Sequence, residues 1–130
     1  MCLEAGANLS SRMEKAMKYL FIFNDSPYGD QRAYNGLRLA AAISRKVEIR
    51  VFLLGDGVLC GLAGFNPANA DYNPQEMLRA IAAARGVVAA CGTCMEARGI
   101  RAETLIPEVR RSTMDELVAW TEESEKVISF

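Results

Sequence analysis

Apolar runs and apolar stripes alternate along the chain. Tyr19-Leu-Phe-Ile-Phe23 is a short apolar run ended by Asn24-Asp-Ser-Pro-Tyr-Gly29, a dense set of turn formers, and predicts a buried strand running into a loop. From Asp30, a competent N-cap, Ala33, Leu37, Ala40, Ala41 and Ile43 recur at helical spacing through Arg45, whose charge suits a helix C-terminus. A helix of about four turns is expected there. Val47 to Leu54 alternates at its start and turns fully apolar at its end, as a strand does when it is partly exposed and then enters a sheet, which predicts a sheet edge. Gly55-Asp-Gly57 forms the next turn, Val58 to Leu62 has room for one helical turn, and Ala63 to Asn73 reads as a loop long enough for function or motion.

Pro74 opens a second helix with Met77, Leu78, Ile81 and Ala84 as its buried stripe, and Gly86 is expected to close it. Val87-Val-Ala-Ala-Cys91 reads as the third strand, Gly92 and Thr93 as a turn, and Cys94 to Arg98 as a short helix stopped by Gly99. Ala102 to Ile106, ending at Pro107, predicts a weaker fourth strand. Ser112-Thr-Met-Asp-Glu116 offers two capping boxes, Ser112 with Asp115 and Thr113 with Glu116, ahead of a helix carrying Leu117, Val118 and Trp120. Lys126 to Phe130 reads as a final strand. This alternation predicts one α/β domain over residues 18–130: an open, parallel, five-stranded sheet with helices on both faces, right-handed crossovers and a flavodoxin-like 2-1-3-4-5 order. Residues 1–17 are weakly patterned and are expected to be a loosely ordered extension, with Met17 the more natural first residue.

Composition narrows the partners. The 130 residues suit one domain, and a domain of that size buries roughly two-thirds of the surface of its unfolded chain without needing disulfides or metal. Fifteen basic against 16 acidic residues, with no long run of either sign, leave no footprint for a nucleic-acid backbone or an anionic membrane. Apolar stretches such as Val51 to Leu54 and Val87 to Cys91 fall far short of the roughly 20 residues of a membrane helix. Residues 1–17 lack the apolar centre of a secretory signal, so a cytoplasmic protein is expected.

Histidine is absent, which excludes Ser-His and Cys-His catalysis and removes the commonest metal ligand. Cysteine carries the remaining chemistry, at Cys2, Cys60, Cys91 and Cys94. A four-thiolate zinc site needs a second Cys-x-x-Cys, and Cys2 and Cys60 are isolated, so no metal and no cofactor is expected. Cys91-Gly-Thr-Cys94 stands where a strand end meets a helix start, and there unpaired N–H groups and the helix dipole favour a thiolate. Arg98, one turn later, adds positive charge that Glu96 partly opposes. In the 2-1-3-4-5 order the loops after the first and third strands are neighbours, so Cys91 is expected to face Asp25, Ser26 and Tyr28. Cys94 and Cys91 are the candidate reactive residues; Asp25, Tyr28, Cys60 and Arg98 are candidates to line the site.

Bland readings compete with each of these. Cysteine is also a common small core residue. Gly55-Asp-Gly-Val-Leu-Cys-Gly61 has a displaced third glycine and follows the second strand rather than the first, which makes it a poor phosphate loop. Asp25 and Asp56 are turn formers or caps as readily as acid–base groups. Arg110 and Arg111 fit an anion site at a helix start, or simply a solvated basic pair.

The segments Asn24-Asp-Ser-Pro-Tyr-Gly29, Val51-Phe-Leu-Leu-Gly-Asp-Gly57, Cys91-Gly-Thr-Cys-Met-Glu-Ala-Arg-Gly-Ile100, Arg111-Ser-Thr-Met114 and Lys126-Val-Ile-Ser-Phe130 resemble the DsrE/DsrF-like sulfur-relay family, which includes the TusD-type sulfurtransferase subunits. The resemblance spans roughly Lys18 to Phe130. It implies a DsrEFH-like five-stranded parallel sheet, assembly into a homo-oligomer (dimer, trimer or hexamer), and sulfur carried as a persulfide on one cysteine. That cysteine ends the third strand, eight residues before a glycine that ends the next helix, which matches Cys91 and Gly99. Sulfur-donor and sulfur-acceptor proteins are the implied partners. Cys94 has no counterpart in the TusD-type subunits but recurs in smaller stand-alone members, which leaves it two roles: resolving a persulfide at Cys91 into a disulfide, or packing. Two other functions stay open: a small-molecule or nucleotide module built on Tyr28 and the Gly55 to Gly61 loop, and a structural oligomer subunit with silent cysteines.

Overall fold

The computed structural model describes residues 17–65, 67 and 71–130; apart from Met17, the expected extension lies outside the described residues. The apolar run after Met17 is β1 (Lys18–Phe23), an interior strand of a five-stranded parallel sheet. With β2 (Glu48–Leu53), β3 (Val87–Cys91), β4 (Val109–Ser112) and β5 (Lys126–Ser129), the strand order is β4-β3-β2-β1-β5. The parallel α/β sheet is as expected, but the 2-1-3-4-5 order is not. The chain steps outward from β1 to β4 and only then returns to the far side of β1, so β2 lies between β1 and β3.

That late reversal places helices on both faces. Phe21 and Phe23 point to one face, where their rings stack with Phe130 at centroid distances of 5.8 to 6.4 Å. There α1 (Arg32–Ile43) crosses so closely that a Cβ on Gly36 would lie 2.5 Å from the Phe23 ring. α2 (Pro74–Ala83) packs beside α1; Asn73 caps it through the N–H groups of Gln75 and Glu76, and Pro74 occupies the first turn as expected. On the other face Phe52 meets Trp120 of α4 (Met114–Glu123) edge-on at 6.1 Å.

Several local expectations change. β2 is interior, not an edge; its charged positions are tolerated because Arg50 lies 5.5 Å over Trp120 and pairs with Glu48 and Glu123. The fourth strand is Val109–Ser112 rather than Ala102 to Ile106. Ala102–Thr104 is a 3-10 turn, and Leu105 and Ile106 enter the core beside it. α1 begins at Arg32, two residues after Asp30, whose carboxylate accepts the Arg32 N–H at 2.8 Å. Arg85, not Gly86, takes the left-handed conformation after α2 (φ 69°), and Gly86 serves close packing instead, since a Cβ there would lie 2.5 Å from the Ile81 side chain. Of the two capping boxes only Thr113 caps, accepting the Glu116 N–H, while the Ser112 hydroxyl donates to the Glu116 carboxylate at 2.5 Å.

Candidate functional site

Cys91 is the last residue of β3 and the N-cap of α3 (Gly92–Ala97), which starts two residues earlier than the spacing predicted. Its extended backbone turns the thiol back over the new helix, as a Ser or Asp cap does. The Cys94 N–H donates to the Cys91 sulfur at 3.3 Å, and the Thr93 hydroxyl lies 3.3 Å from it. Burial alone would raise the Cys91 thiol. Hydrogen bonds from the Cys94 and Thr93 side chains and from both backbone N–H groups outweigh it, and the thiol sits below its ordinary value.

Cys94 shifts the other way. Burial raises its thiol first, its hydrogen bond to Cys91 and the Cys91 charge raise it further, and the Gly55 N–H and Arg98 only partly offset this. The pair is therefore asymmetric: Cys91 loses its proton more readily than Cys94. The Gly55 N–H donates to the Cys94 sulfur at 3.2 Å, an approach set by the left-handed turn of Gly55 (φ 56°). Arg98 donates to the Cys94 carbonyl at 3.0 Å and pairs with Asp56 at 2.7 Å. Glu96 does not oppose Arg98, because it pairs with Arg111.

Cys91 is only 3% exposed, and it lines an opening in the surface. That opening is a cleft of about 150 Å³ walled by Gly92, Thr93, Arg111, Ser112, Thr113 and Met114. The Arg111 side chain crosses so close to Gly92 that a Cβ there would lie 2.7 Å from its Nε. Arg110 is paired in two-pronged fashion with Glu116 at 2.6 and 2.8 Å and lies over Trp120, so the basic pair belongs to β4 and its ion pairs rather than to a free helix start.

Asp25, Ser26 and Tyr28 do not face Cys91 as the expected strand order had it, since β2 separates the two loops. The Asp25 carboxylate lies 3.5 Å from Arg32, and its carbonyl accepts the Cys60 thiol at 3.7 Å. Tyr28 stacks on Tyr72 and meets Phe65 edge-on, both at 5.5 Å. Cys60 lies in the 3-10 segment Gly55–Gly61 beneath this aromatic group, fully buried, its thiol pushed up to about 12 by burial and then by Asp25. The glycines of that segment serve packing: a Cβ on Gly57 would lie 1.9 Å from the Phe23 carbonyl oxygen. The sequence candidates thus divide into one group around Cys91, Cys94 and Arg98, and another around Cys60, Asp25 and Tyr28.

The sequence reading missed four contributors to the first group: Thr93, the Gly55 N–H, Asp56 as the partner of Arg98, and the Arg111 to Met114 wall. Thr93 had a signal, a hydroxyl inside the Cys-x-x-Cys; the others depend on strand order. Among the described residues there is no cluster of three or more His, Cys, Asp or Glu side chains arranged to hold a metal ion. Nor is any described helix long and apolar enough to cross a membrane.

The DsrE/DsrF-like family model matches residues 17–130. The chain belongs to the DsrE/DsrF-like family. It is 38% identical over 116 residues to protein YchN of Escherichia coli, covering 87% of this chain and 98% of YchN. With the uncharacterized protein MJ0989 of Methanocaldococcus jannaschii it shares 37% identity over 115 residues, covering 88% of this chain and 100% of that one. The crystal structure of E. coli YchN matches at a TM-score of 0.82 and 38% identity over 88% of this chain and 99% of YchN. Protein BT1422 of Bacteroides thetaiotaomicron, at a TM-score of 0.63 and 19% identity over 92% of this chain and 97% of that one, shares the fold alone. DsrE/DsrF-like membership thus agrees with the sheet and the segments quoted above.

Proposed function

We propose that this DsrE/DsrF-like protein is a sulfur carrier, or sulfurtransferase, that holds sulfur as a persulfide on Cys91. The observation that carries the reading is the Cys91 thiol itself, surrounded by hydrogen-bond donors, lowered toward the thiolate and opening into a cleft. The thiolate attacks the outer sulfur of a donor persulfide; the Cys91 S–S bond forms, the donor S–S bond breaks, and the donor leaves as a thiolate. An acceptor thiolate then attacks the same outer sulfur and releases Cys91. Both steps exchange one sulfur–sulfur bond for another, so neither requires a cofactor.

Size supports this chemistry. At about 150 Å³ the cleft is smaller than the roughly 300 Å³ at which pockets for whole small molecules begin, and it suits a sulfur atom at the tip of a donor side chain. Donor and acceptor are read as proteins, for which the exposed Met114 and Val118, one turn apart on α4, offer apolar contact beside the opening. The same exposed side chains, with Val127 of β5, suit a homo-oligomer, which light scattering on the purified protein tests directly. Free thiols at Cys60, Cys91 and Cys94 fit a reducing cytoplasm.

The experiment is intact mass spectrometry without reductant after mixing the protein with a cysteine desulfurase and cysteine. Wild type is expected to gain one sulfur mass and Cys91→Ser none. Equal gain by Cys91→Ser, or no gain by either protein, overturns the reading.

A further inference from the structure

The sulfur of Cys91 has a second thiol against it. The N–H of Cys94, three residues along, donates to it at 3.3 Å, and the Cys94 thiol acts on it as well. Cys94 is itself held on the far side by the Gly55 N–H at 3.2 Å, with the Arg98 guanidinium anchored to its carbonyl at 3.0 Å. A residue that only filled space would not need an N–H aimed at its sulfur and a guanidinium beside it. That donor and that charge suit a sulfur that becomes an anion during some step.

We propose that Cys94 is a resolving thiol, which displaces sulfide from a persulfide on Cys91 and closes a Cys91–Cys94 disulfide. The step rests on the reading of Cys91 as the sulfur-bearing residue and adds an activity to it: discharge of the carried sulfur as free sulfide when no acceptor takes it. The balance is complete. The Cys94 thiol gives its proton to the terminal sulfur of the anionic Cys91 persulfide, and the Cys94 thiolate attacks the Cys91 sulfur. The Cys91–S bond to the outer sulfur breaks, its electron pair leaves with that sulfur as hydrosulfide, and the two cysteine sulfurs remain as a disulfide. The outer sulfur is the oxidant and is reduced to sulfide; the two thiols are oxidised. A small-molecule thiol or dithiol reductant resets the pair.

Loading itself prepares the attack. In the unloaded protein burial, and then the hydrogen bond and charge of Cys91, raise the Cys94 thiol. When Cys91 carries a second sulfur, the charge moves one atom outward into the cleft. The Gly55 N–H and Arg98, which favour the Cys94 thiolate, stay where they are. The asymmetry that makes Cys91 the nucleophile of the first step thus reverses for the second.

The test loads the protein with inorganic polysulfide, desalts it without reductant, and follows released sulfide and intact mass together for wild type, Cys94→Ser and Cys94→Ala. Wild type is expected to release one sulfide per loaded chain and to end two hydrogen masses below the reduced protein, with a Cys91–Cys94 disulfide in the peptide map. Both variants keep the added sulfur and release sulfide more slowly, on the order of tenfold, because the attacking thiol is no longer held in place. Wild type that keeps its sulfur as long as the variants overturns the resolving role while leaving the carrier reading intact. Failure of all three proteins to take sulfur on Cys91 removes both, and uptake by the variants shows that they fold.

Discussion

Cys60 and Cys91 follow neighbouring strands of one sheet and end in opposite states. Cys60 lies in the 3-10 segment after β2, fully buried, its thiol donating to the Asp25 carbonyl, with Asp25 raising it further. Cys91 caps the helix after β3, and what surrounds its sulfur donates: the Cys94 and Thr93 side chains and their N–H groups. Both positions are nearly closed to solvent, at 0% and 3%. Burial raises both thiols; around Cys91 the donors outweigh it, whereas at Cys60 burial and then the Asp25 charge prevail. An acceptor beside a thiol stabilises its proton, and donors stabilise its loss.

Exchanging the two cysteines one at a time breaks this comparison most sharply. Cys91→Ser is expected to abolish sulfur loading, whereas Cys60→Ala loads normally and loses about 1–2 kcal/mol of stability by leaving a small void in the core; denaturant melts and intact masses of both variants check this. Loss of loading in Cys60→Ala at unchanged stability would place the chemistry at the wrong cysteine.

The next effect falls on the segment that serves both regions. Gly55–Gly61 holds Cys60 and supplies the N–H that meets Cys94, and its path depends on Gly57 lying against the Phe23 carbonyl. Gly57→Ala must push that backbone apart and is expected to cost about 3 kcal/mol, read as a fall in the denaturation midpoint.

The two thiols also give opposite pH dependences. Cys60 has a folded value raised from 9.0 to about 12, so its contribution to stability is intact below about 9 and is lost as the pH rises toward 12. Cys91 is lowered, so its contribution is present above the ordinary thiol range and is lost as the pH falls through its folded value. Melting curves across alkaline pH should fall less steeply for Cys60→Ala than for wild type. Parallel curves would mean that Cys60 ionises as freely as an ordinary thiol.

Finer changes sharpen the Cys91 side. Thr93→Val removes one donor, and the pH midpoint for alkylation of Cys91 should move up toward the ordinary thiol range, slowing the reaction severalfold at neutral pH. Arg98→Gln opens a largely exposed pair with Asp56, so its stability cost should stay below about 1 kcal/mol in a denaturant melt.

What the sequence disclosed of this arrangement was local. β1, α2 and β3 follow from an apolar run, a Pro-opened helix and a run ending in Cys91, each carrying its own signal. β4 carries none, because Val109-Arg-Arg-Ser112 is an edge strand whose arginines are satisfied by Glu116 and Glu96 on other elements. The same β–α alternation fits either strand order, and the pairing that decides between them is not encoded in any one segment. That is why Cys91 was legible as a candidate thiol at a strand end while its neighbours were not. Asp25 and Tyr28 belong to the loop after β1, which β2 sets apart from Cys91, and the Gly55 N–H reaches Cys94 because β2 and β3 are adjacent.

The most direct test maps the sulfur itself in the wild-type protein. After incubation with a cysteine desulfurase and cysteine, the native protein is alkylated, digested without reductant and its peptides weighed. The account predicts added sulfur on the Cys91 peptide and a Cys60 peptide that is neither persulfidated nor alkylated before unfolding. Sulfur on Cys60, or a Cys91 that takes up neither sulfur nor alkylating agent in the folded protein, would contradict it.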